Sequence, residues 1–169
     1  PFFIQLNTRL SDDGIPVAKP LANRKGDLVF DIRGKPAALF VKLAGQTLQN
    51  TNLNNCKHIG QALGQMHIAT QKYKDLVRIN HRWAPWWESN VDRVLNLLTP
   101  NNQDTLKKQI IRSRQFVELS DTLPKGIIHG DLFCDNAMFD GNQLTGIIDF
   151  YNACNGVFIF DLAITLNDW

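Results

Sequence analysis

Cysteine is scarce in this sequence of 169 residues, and its occurrences form no metal-binding or redox spacing. Cys56, Cys134 and Cys154 are odd in number and include no CxxC pair. The sequence therefore indicates neither a disulfide framework nor a zinc site. We expect a reducing, cytoplasmic setting.

Long hydrophobic runs and clustered basic residues are also missing. No apolar run approaches the roughly 20 residues that span a bilayer, and no signal-peptide pattern is visible. A formal net charge of +2 without a basic run argues against a nucleic-acid-binding surface, although it is compatible with small anionic ligands. The hydrophobic content of 44% is ordinary for a globular chain with one sizeable core.

The sequence lacks an initiating methionine and begins at Pro1, which apolar residues follow at once. Its final stretch, Leu162–Trp169, has no polar tail. We expect this chain to be a fragment of a larger protein that extends beyond both ends.

Hydrophobic periodicity predicts an α+β chain. Helices are expected over residues 2–10, 54–70, 91–98 (ended by Pro100), 105–120 and 158–168. Strands are expected over residues 27–32, 37–43, 126–129, 137–139 and 143–150, and an extended linker over residues 17–22. The break in pattern after Leu43 predicts a boundary between a small sheet-bearing lobe, residues 1–43, and a mainly helical lobe, residues 44–169.

Two acidic residues and an amide follow short apolar runs near the end of the chain. The first run leads into His129-Gly130-Asp131, Asn136 follows five residues after Asp131, and a second run ends at Asp149. The tight-turn sequence Asp140-Gly141-Asn142 between the runs predicts a hairpin that brings these ends together. Converging carboxylate and amide oxygens suit Mg²⁺ holding a polyphosphate, so the pattern favours phosphoryl transfer.

Each of these residues also has a structural interpretation. Asp131 and Asn136 are common turn residues, and Asp149 is compatible with a strand-end ion pair. His129 is expected to brace the loop by hydrogen bonds, the alternative being a proton shuttle. A metal-dependent hydrolase with His129 and Asp131 as ligands is the competing chemistry, but it lacks the additional histidines that such sites use.

Three further features have open interpretations. Asp161 is either a charge favoured at a helix N-terminus or an anchor for the catalytic loop. His67 is expected to be a hydrogen-bonded core histidine rather than a metal ligand. The tryptophans between Trp83 and Trp87 are expected to pack a helix onto its neighbours, with an aromatic substrate wall as the alternative.

At these motifs the sequence resembles a known family. His129-Gly130-Asp131-Leu132 with Asn136, Ile148-Asp149-Phe150 and Asp161-Leu162-Ala163 resemble the aminoglycoside phosphotransferase and choline kinase group, which has the protein-kinase-like fold. The wider pattern, including Phe133, Asp135, Tyr151, Ala153-Cys154 and Asn167-Asp168-Trp169, is similar to bacterial homoserine kinases of this fold.

The resemblance implies a reaction and a set of roles. ATP would phosphorylate L-homoserine on the way to threonine, with Asp131 as base or hydroxyl-orienting residue and Mg²⁺ held by Asn136 and Asp149. The backbone of Val41, Lys42 and Leu43 would meet adenine at the hinge between the lobes. An aminoglycoside, choline or other amino-alcohol kinase is the nearest alternative, and a non-catalytic kinase-like binding module is the alternative from another class.

The chain also departs from the family pattern. The loop that covers the nucleotide and the lysine that pairs with its phosphates would lie before Pro1. Helix 2–13 carries Thr8 in its middle and acids only at Asp12 and Asp13, so no partner for that lysine is evident. We therefore expect the isolated 169-residue chain to have negligible kinase activity.

Overall fold

A computed structural model describes residues 1–169 and confirms the α+β class. The helices are α1 (Phe2–Asp12), α2 (Leu53–Thr70), α3 (Ala84–Leu95), α4 (Pro100–Ser120) and α5 (Phe158–Leu166). The strands are β1 (Pro20–Leu21), β2 (Phe30–Ile32), β3 (Lys35–Ala37), β4 (Leu39–Phe40), β5 (Lys125–Ile128), β6 (Ala137–Asp140), β7 (Gln143–Ile147) and β8 (Cys154–Val157). Single 3₁₀ turns cover Cys134–Asn136 and Phe150–Asn152. None of the helices is long and apolar enough to cross a membrane.

The chain forms two compact units. The first contains Pro1–Arg78 and Lys125–Trp169, and the second contains Ile79–Pro124. All the predicted site residues belong to the first unit. The boundary expected between residues 43 and 44 concerns the lobes of a whole kinase, and it stays a prediction.

Helix α2 is the centre of the first unit. Its buried face carries Ile59, Leu63 and Met66, which recur at helical spacing and join one core with residues of α1 and the β5–β7 region. Asn52 caps the helix by accepting hydrogen bonds from the backbone amides of Asn54 and Asn55, while the Asn55 side chain accepts from the Asn52 amide.

The strands form four separate antiparallel pairs: β1–β4, β2–β3, β5–β8 and β6–β7. The β2–β3 hairpin turns at Arg33 and Gly34, both with positive φ, as a two-residue type I′ turn requires. The predicted linker over residues 17–22 is partly wrong, because it contains β1. The strand expected over residues 37–43 is divided between β3 and β4 and ends at Phe40.

The chain at Gly45 passes so close to β6 that this position requires a glycine. The backbone of Gln46 pairs with that of Phe139, and Gly45 beside it has φ +82°. A Cβ atom on Gly45 would lie 1.9 Å from the Phe139 carbonyl oxygen. Only glycine therefore allows the chain after Leu43 to run against the hairpin.

Helices α3 and α4 make up most of the second unit. The Trp83 ring contacts the rings of Trp87 and Phe116 at centroid distances of 5.7 and 5.6 Å, which confirms packing as the role of this tryptophan. Glu88 and Arg114 form an ion pair across the two helices at 2.9 Å. Pro100 begins α4 rather than directly ending α3, because proline suits the first turn, where its missing N–H costs nothing.

Candidate functional site

The segment 129–136 leaves the buried end of β5 and passes through the middle of the first unit. Ile127 and Ile128 are buried at that end, and Leu132 is fully buried within the loop. Gly130 has φ +76°, and a Cβ there would lie 3.1 Å from the Asn152 carbonyl oxygen. The loop is therefore held between the core and the turn that follows Asp149.

Asp161 anchors this loop from the first turn of α5. Its side chain is fully buried and accepts hydrogen bonds from the backbone amides of His129 and Gly130 at 2.9 and 2.8 Å. Nε2 of His67 lies 2.8 Å from the same carboxylate. Both interpretations of Asp161 therefore hold: its negative charge lies at a helix N-terminus, where it is favoured, and the same carboxylate anchors the loop.

His67 is a packing residue with one polar contact. Its ring stacks on Phe158 at a centroid distance of 4.2 Å, and its Nε2 meets Asp161. The prediction of a hydrogen-bonded core histidine is confirmed.

His129 is fully buried, and both of its ring nitrogens are engaged. Nδ1 accepts a hydrogen bond from the Asp131 amide at 3.2 Å, which leaves the proton on Nε2, where it is donated to the Ile148 carbonyl at 2.9 Å. Burial lowers the pKa of His129, so the ring is held neutral. This geometry supports bracing of the loop and leaves no ring nitrogen for a metal or a transferred proton.

Asp131 and Asn136 lie at the two ends of one short loop. The Asn136 side chain donates from Nδ2 to the Asp131 backbone carbonyl at 2.8 Å, which directs its Oδ1 away from that carbonyl. One carboxylate oxygen of Asp131, Oδ2, accepts from Nδ2 of Asn152 at 2.9 Å. The other carboxylate oxygen has no hydrogen bond within the protein.

The hairpin β6–β7 brings Asp149 to this loop, as the turn sequence predicts. The Ile148 amide donates to the Asn136 carbonyl at 2.9 Å, so Asp149 follows a residue bonded directly to Asn136. Asp149 has φ 62° and ψ 59°, a left-handed conformation that is costly for a residue other than glycine. This conformation ends β7 at Ile147, two residues before Asp149, and the exposed carboxylate has no ion pair or hydrogen bond.

The oxygen donors at this position suit a hard cation such as Mg²⁺. They are a carboxylate and an amide oxygen, and no group of three or more His, Cys, Asp or Glu side chains in residues 1–169 is arranged to hold a metal. Such a small protein donor set is typical of Mg²⁺ that is shared with substrate phosphates and water. Asn136 and Asp149 therefore fit the predicted ion.

The stretch Val41–Leu43 runs beside the strand that leads to Asp149. The Val41 amide donates to the Lys19 carbonyl at 2.9 Å. A Cβ on Gly146 would lie 2.6 Å from a Leu43 methyl group, and Thr145 Oγ1 donates to the Ala44 carbonyl at 2.7 Å. Because the Val41 amide is already engaged, a nucleotide would have to meet other backbone groups of this stretch.

Asp168 and Trp169 belong to a motif that carries the family resemblance, but the sequence did not predict their contacts with the segment 129–136. The Asp168 carboxylate accepts from the Cys134 amide at 2.6 Å, and the Trp169 indole donates to the Leu132 carbonyl at 3.0 Å. Both contacts hold the segment 129–136 from the C-terminal end of the chain. Burial raises the pKa of the Cys134 thiol to about 12, which excludes it as a nucleophile at neutral pH.

A polar cavity of about 620 Å³ adjoins the same loop. Its walls come from residues 48–51 and from Phe133, Cys134, Asp135 and Asp168. The cavity therefore lies beside the segment between Asp131 and Asn136.

The chain is similar to known phosphotransferases along its full length. The model of the family described as "Phosphotransferase enzyme family" matches residues 1–169. A homoserine kinase of Neisseria meningitidis serogroup B is 41% identical over 169 residues, which is 100% of this chain and 54% of the relative. A homoserine kinase of Pseudomonas aeruginosa is 39% identical over 169 residues, 53% of its length. The chain thus spans about half the length of the curated relatives it matches.

Solved structures confirm the predicted protein-kinase-like fold of the aminoglycoside phosphotransferases. An amicoumacin kinase in complex with AMP-PNP, Ca²⁺ and its ligand superposes with a TM-score of 0.73 at 22% identity, covering 99% of this chain and 52% of that one. The GDP complex of aminoglycoside 2'-phosphotransferase-IIIa gives a TM-score of 0.74 at 21% identity, with coverages of 99% and 60%. At these identities the similarity concerns the fold alone.

Proposed function

We propose, from the premise that this chain belongs to the phosphotransferase enzyme family, that its full-length protein transfers the γ-phosphoryl group of ATP to the hydroxyl of L-homoserine. The observation that supports the reaction type is a pair of hydrogen bonds that tie the three residues' segments together. The Ile148 amide, next to Asp149, donates to the Asn136 carbonyl, and the Asn136 side chain donates to the Asp131 carbonyl. The names of the relatives near 40% identity support the acceptor.

Asp131 faces the acceptor in this proposal. As the homoserine oxygen bonds to the γ-phosphorus, the bond from that phosphorus to the β,γ-bridging oxygen breaks and ADP leaves. The hydroxyl proton passes to the carboxylate oxygen of Asp131 that has no partner within the protein. The loop holds the Asp131 carboxylate in place before the acceptor arrives, because the loop backbone is hydrogen-bonded to the side chains of Asp161 and Asn136.

Asn136 and Asp149 would hold Mg²⁺, which when bound neutralises charge on the phosphates. The left-handed backbone at Asp149 supports this role, since strain of this kind is concentrated at functional sites. We propose Mg²⁺ because hard oxygen donors and phosphates are its usual partners, and the amicoumacin kinase structure contains a nucleotide with Ca²⁺.

We further propose that Lys42 and Leu43, with the remaining backbone groups of Val41, contact adenine. This stretch lies against β7, which leads directly toward Asp149. Residues 1–43 would then belong to the small lobe and residues 44–169 to the helical lobe of the whole kinase. The three cysteines are unpaired, as a reducing cytoplasm would leave them.

The test is ADP release by the full-length gene product with Mg²⁺·ATP over a panel of homoserine, choline and aminoglycosides. Homoserine should give the highest kcat/KM. Activity confined to an aminoglycoside or to choline would replace the acceptor, whereas nucleotide binding without turnover would indicate a binding module.

Asp131→Ala should lower kcat by about 10²–10⁴-fold while leaving nucleotide affinity within about twofold, because general bases contribute on that scale. Asp104→Ala, which removes an exposed carboxylate on α4, is the matched control and should retain full activity. Undiminished turnover by the Asp131 variant would remove that residue from its proposed role.

A further inference from the structure

Asn152 is the one side chain that donates a hydrogen bond to the Asp131 carboxylate. Its Nδ2 lies 2.9 Å from Asp131 Oδ2. A carboxylate only accepts hydrogen bonds, so the amide nitrogen must face it. We infer that Asn152 is a positioning residue, which occupies Oδ2 and leaves the second oxygen of Asp131 to the acceptor hydroxyl; this inference rests on the proposed kinase function.

The backbone around Asn152 is held on two sides. Arg78 donates from Nη1 to the carbonyls of Tyr151 and Ala153 at 2.7 and 3.2 Å, bracketing Asn152. On the other side, the Asn152 carbonyl packs closely against Gly130, where a Cβ atom would lie only 3.1 Å from the carbonyl oxygen. A flexible surface amide would lose much of the benefit of this bond through side-chain entropy, but this one is partly buried in a braced turn.

The same turn connects Asn152 to the proposed metal ligand. Asp149 has the left-handed conformation and precedes the 3₁₀ turn Phe150–Asn152. One short, braced segment therefore presents Asp149 at its start and the partner of Asp131 at its end. This arrangement sets the relative position of base and metal ligand, which determines whether acceptor and phosphate are in line.

The first test compares Asn152→Ala with Asn142→Ala in the full-length gene product. Asn142 is the matched control, because it is an exposed asparagine at the β6–β7 turn whose side chain accepts a hydrogen bond from Asn52. Loss of one hydrogen bond to a charged group should lower kcat by about tenfold in Asn152→Ala. KM for ATP and for homoserine should stay within about twofold, since the bond concerns the reacting group rather than substrate binding.

Asn152→Asp provides a signature that a purely structural role would not show. Above neutral pH the new carboxylate would repel that of Asp131 and activity should fall below that of Asn152→Ala. In acid the new side chain becomes a carboxylic acid and can again donate to Oδ2. The kcat of Asn152→Asp divided by the kcat of Asn152→Ala should therefore rise as pH falls from 8 to about 5.5. The charged groups around this position are Asp131, which the side chain contacts, Arg78, which contacts the two adjacent carbonyls, and Asp149, which begins the same turn. The nearby His129 is held neutral.

The outcomes separate this inference from the proposed function. Wild-type protein that fails to phosphorylate homoserine would overturn the proposed acceptor. If Asp131→Ala abolishes turnover but Asn152→Ala matches Asn142→Ala in kcat, the function stands and the role of Asn152 is overturned. A ratio that does not change with pH would also overturn it. Should Asn152→Ala unfold, as measured by its thermal midpoint, the pH dependence of Asn152→Asp relative to wild type decides the question.

Discussion

Replacement of Asp161 by asparagine should destabilise the protein without changing side-chain volume. The fully buried carboxylate accepts three hydrogen bonds, two at Oδ2 from the His129 amide and His67 Nε2 and one at Oδ1 from the Gly130 amide. An asparagine places an NH₂ group against at least one of these donors. That position then loses a charge-assisted bond and leaves a buried donor without an acceptor.

The magnitude follows from those two losses. A hydrogen bond to a charged group contributes roughly 1.5–3 kcal/mol, and an unsatisfied buried donor costs about 1–3 kcal/mol. Because the Asn carbonyl retains some of the original bonds, we expect a net loss of about 3 kcal/mol in the free energy of unfolding. This is a large part of the roughly 5–15 kcal/mol that stabilises a typical domain.

The assay is urea denaturation of the full-length gene product, followed by tryptophan fluorescence and by kinase activity. Asp104→Asn is the matched control, since its carboxylate is exposed, and it should change the unfolding free energy by less than about 0.5 kcal/mol. The activity of the folded Asp161→Asn protein should also fall, because the segment that carries the proposed base Asp131 loses its anchor. An unfolding free energy within about 0.5 kcal/mol of wild type would refute the anchoring role.

Two further predictions concern stability. Because burial lowers the pKa of His129, the unfolded chain binds its proton first as pH falls below about 6.5, so stability should decline there by up to about 1.4 kcal/mol per pH unit. His129→Gln should remove up to about 1.4 kcal/mol per pH unit from that slope. Replacement of the exposed His81 by glutamine is the control and should leave the slope unchanged. Denaturation between pH 7 and 5 measures both slopes, and equal slopes for the two variants would contradict a neutral buried ring. Gly45→Ala should lower the free energy of unfolding by at least about 2 kcal/mol, because its Cβ would overlap the Phe139 carbonyl. Gly60→Ala, at a solvent-exposed position in the middle of α2, should instead raise it by about 0.5–1 kcal/mol. Thermal unfolding of the two glycine variants checks this pair, and equal midpoints would be the contrary result.

Local patterns predicted the elements that position the proposed site. The helical spacing of Ile59, Leu63 and Met66 indicates α2, and the turn at Gly141 indicates the β6–β7 hairpin. These signals are local, because one buried face and one turn conformation suffice to specify each element.

Strands that depend on distant partners were missed. Pro20–Leu21 resembles a proline-restricted linker, yet it pairs with Leu39–Phe40. Cys154–Val157 has no alternating pattern, and it becomes β8 because it pairs with β5. Such short strands are specified by the edge they meet, and no property of their own few residues identifies that edge.

The sequence alone predicted Asp131, Asn136 and Asp149 as one group and favoured phosphoryl transfer as their chemistry. That inference needs only residue types, short spacings and a hairpin signal, all of which are local. The tertiary structure decided that His129 is neutral and braced, that Asp161 anchors the loop and that Asn152 is the partner of Asp131. These relationships join side chains to groups 19 to 32 residues away, so they depend on how the core packs rather than on the conformational preferences of neighbouring residues.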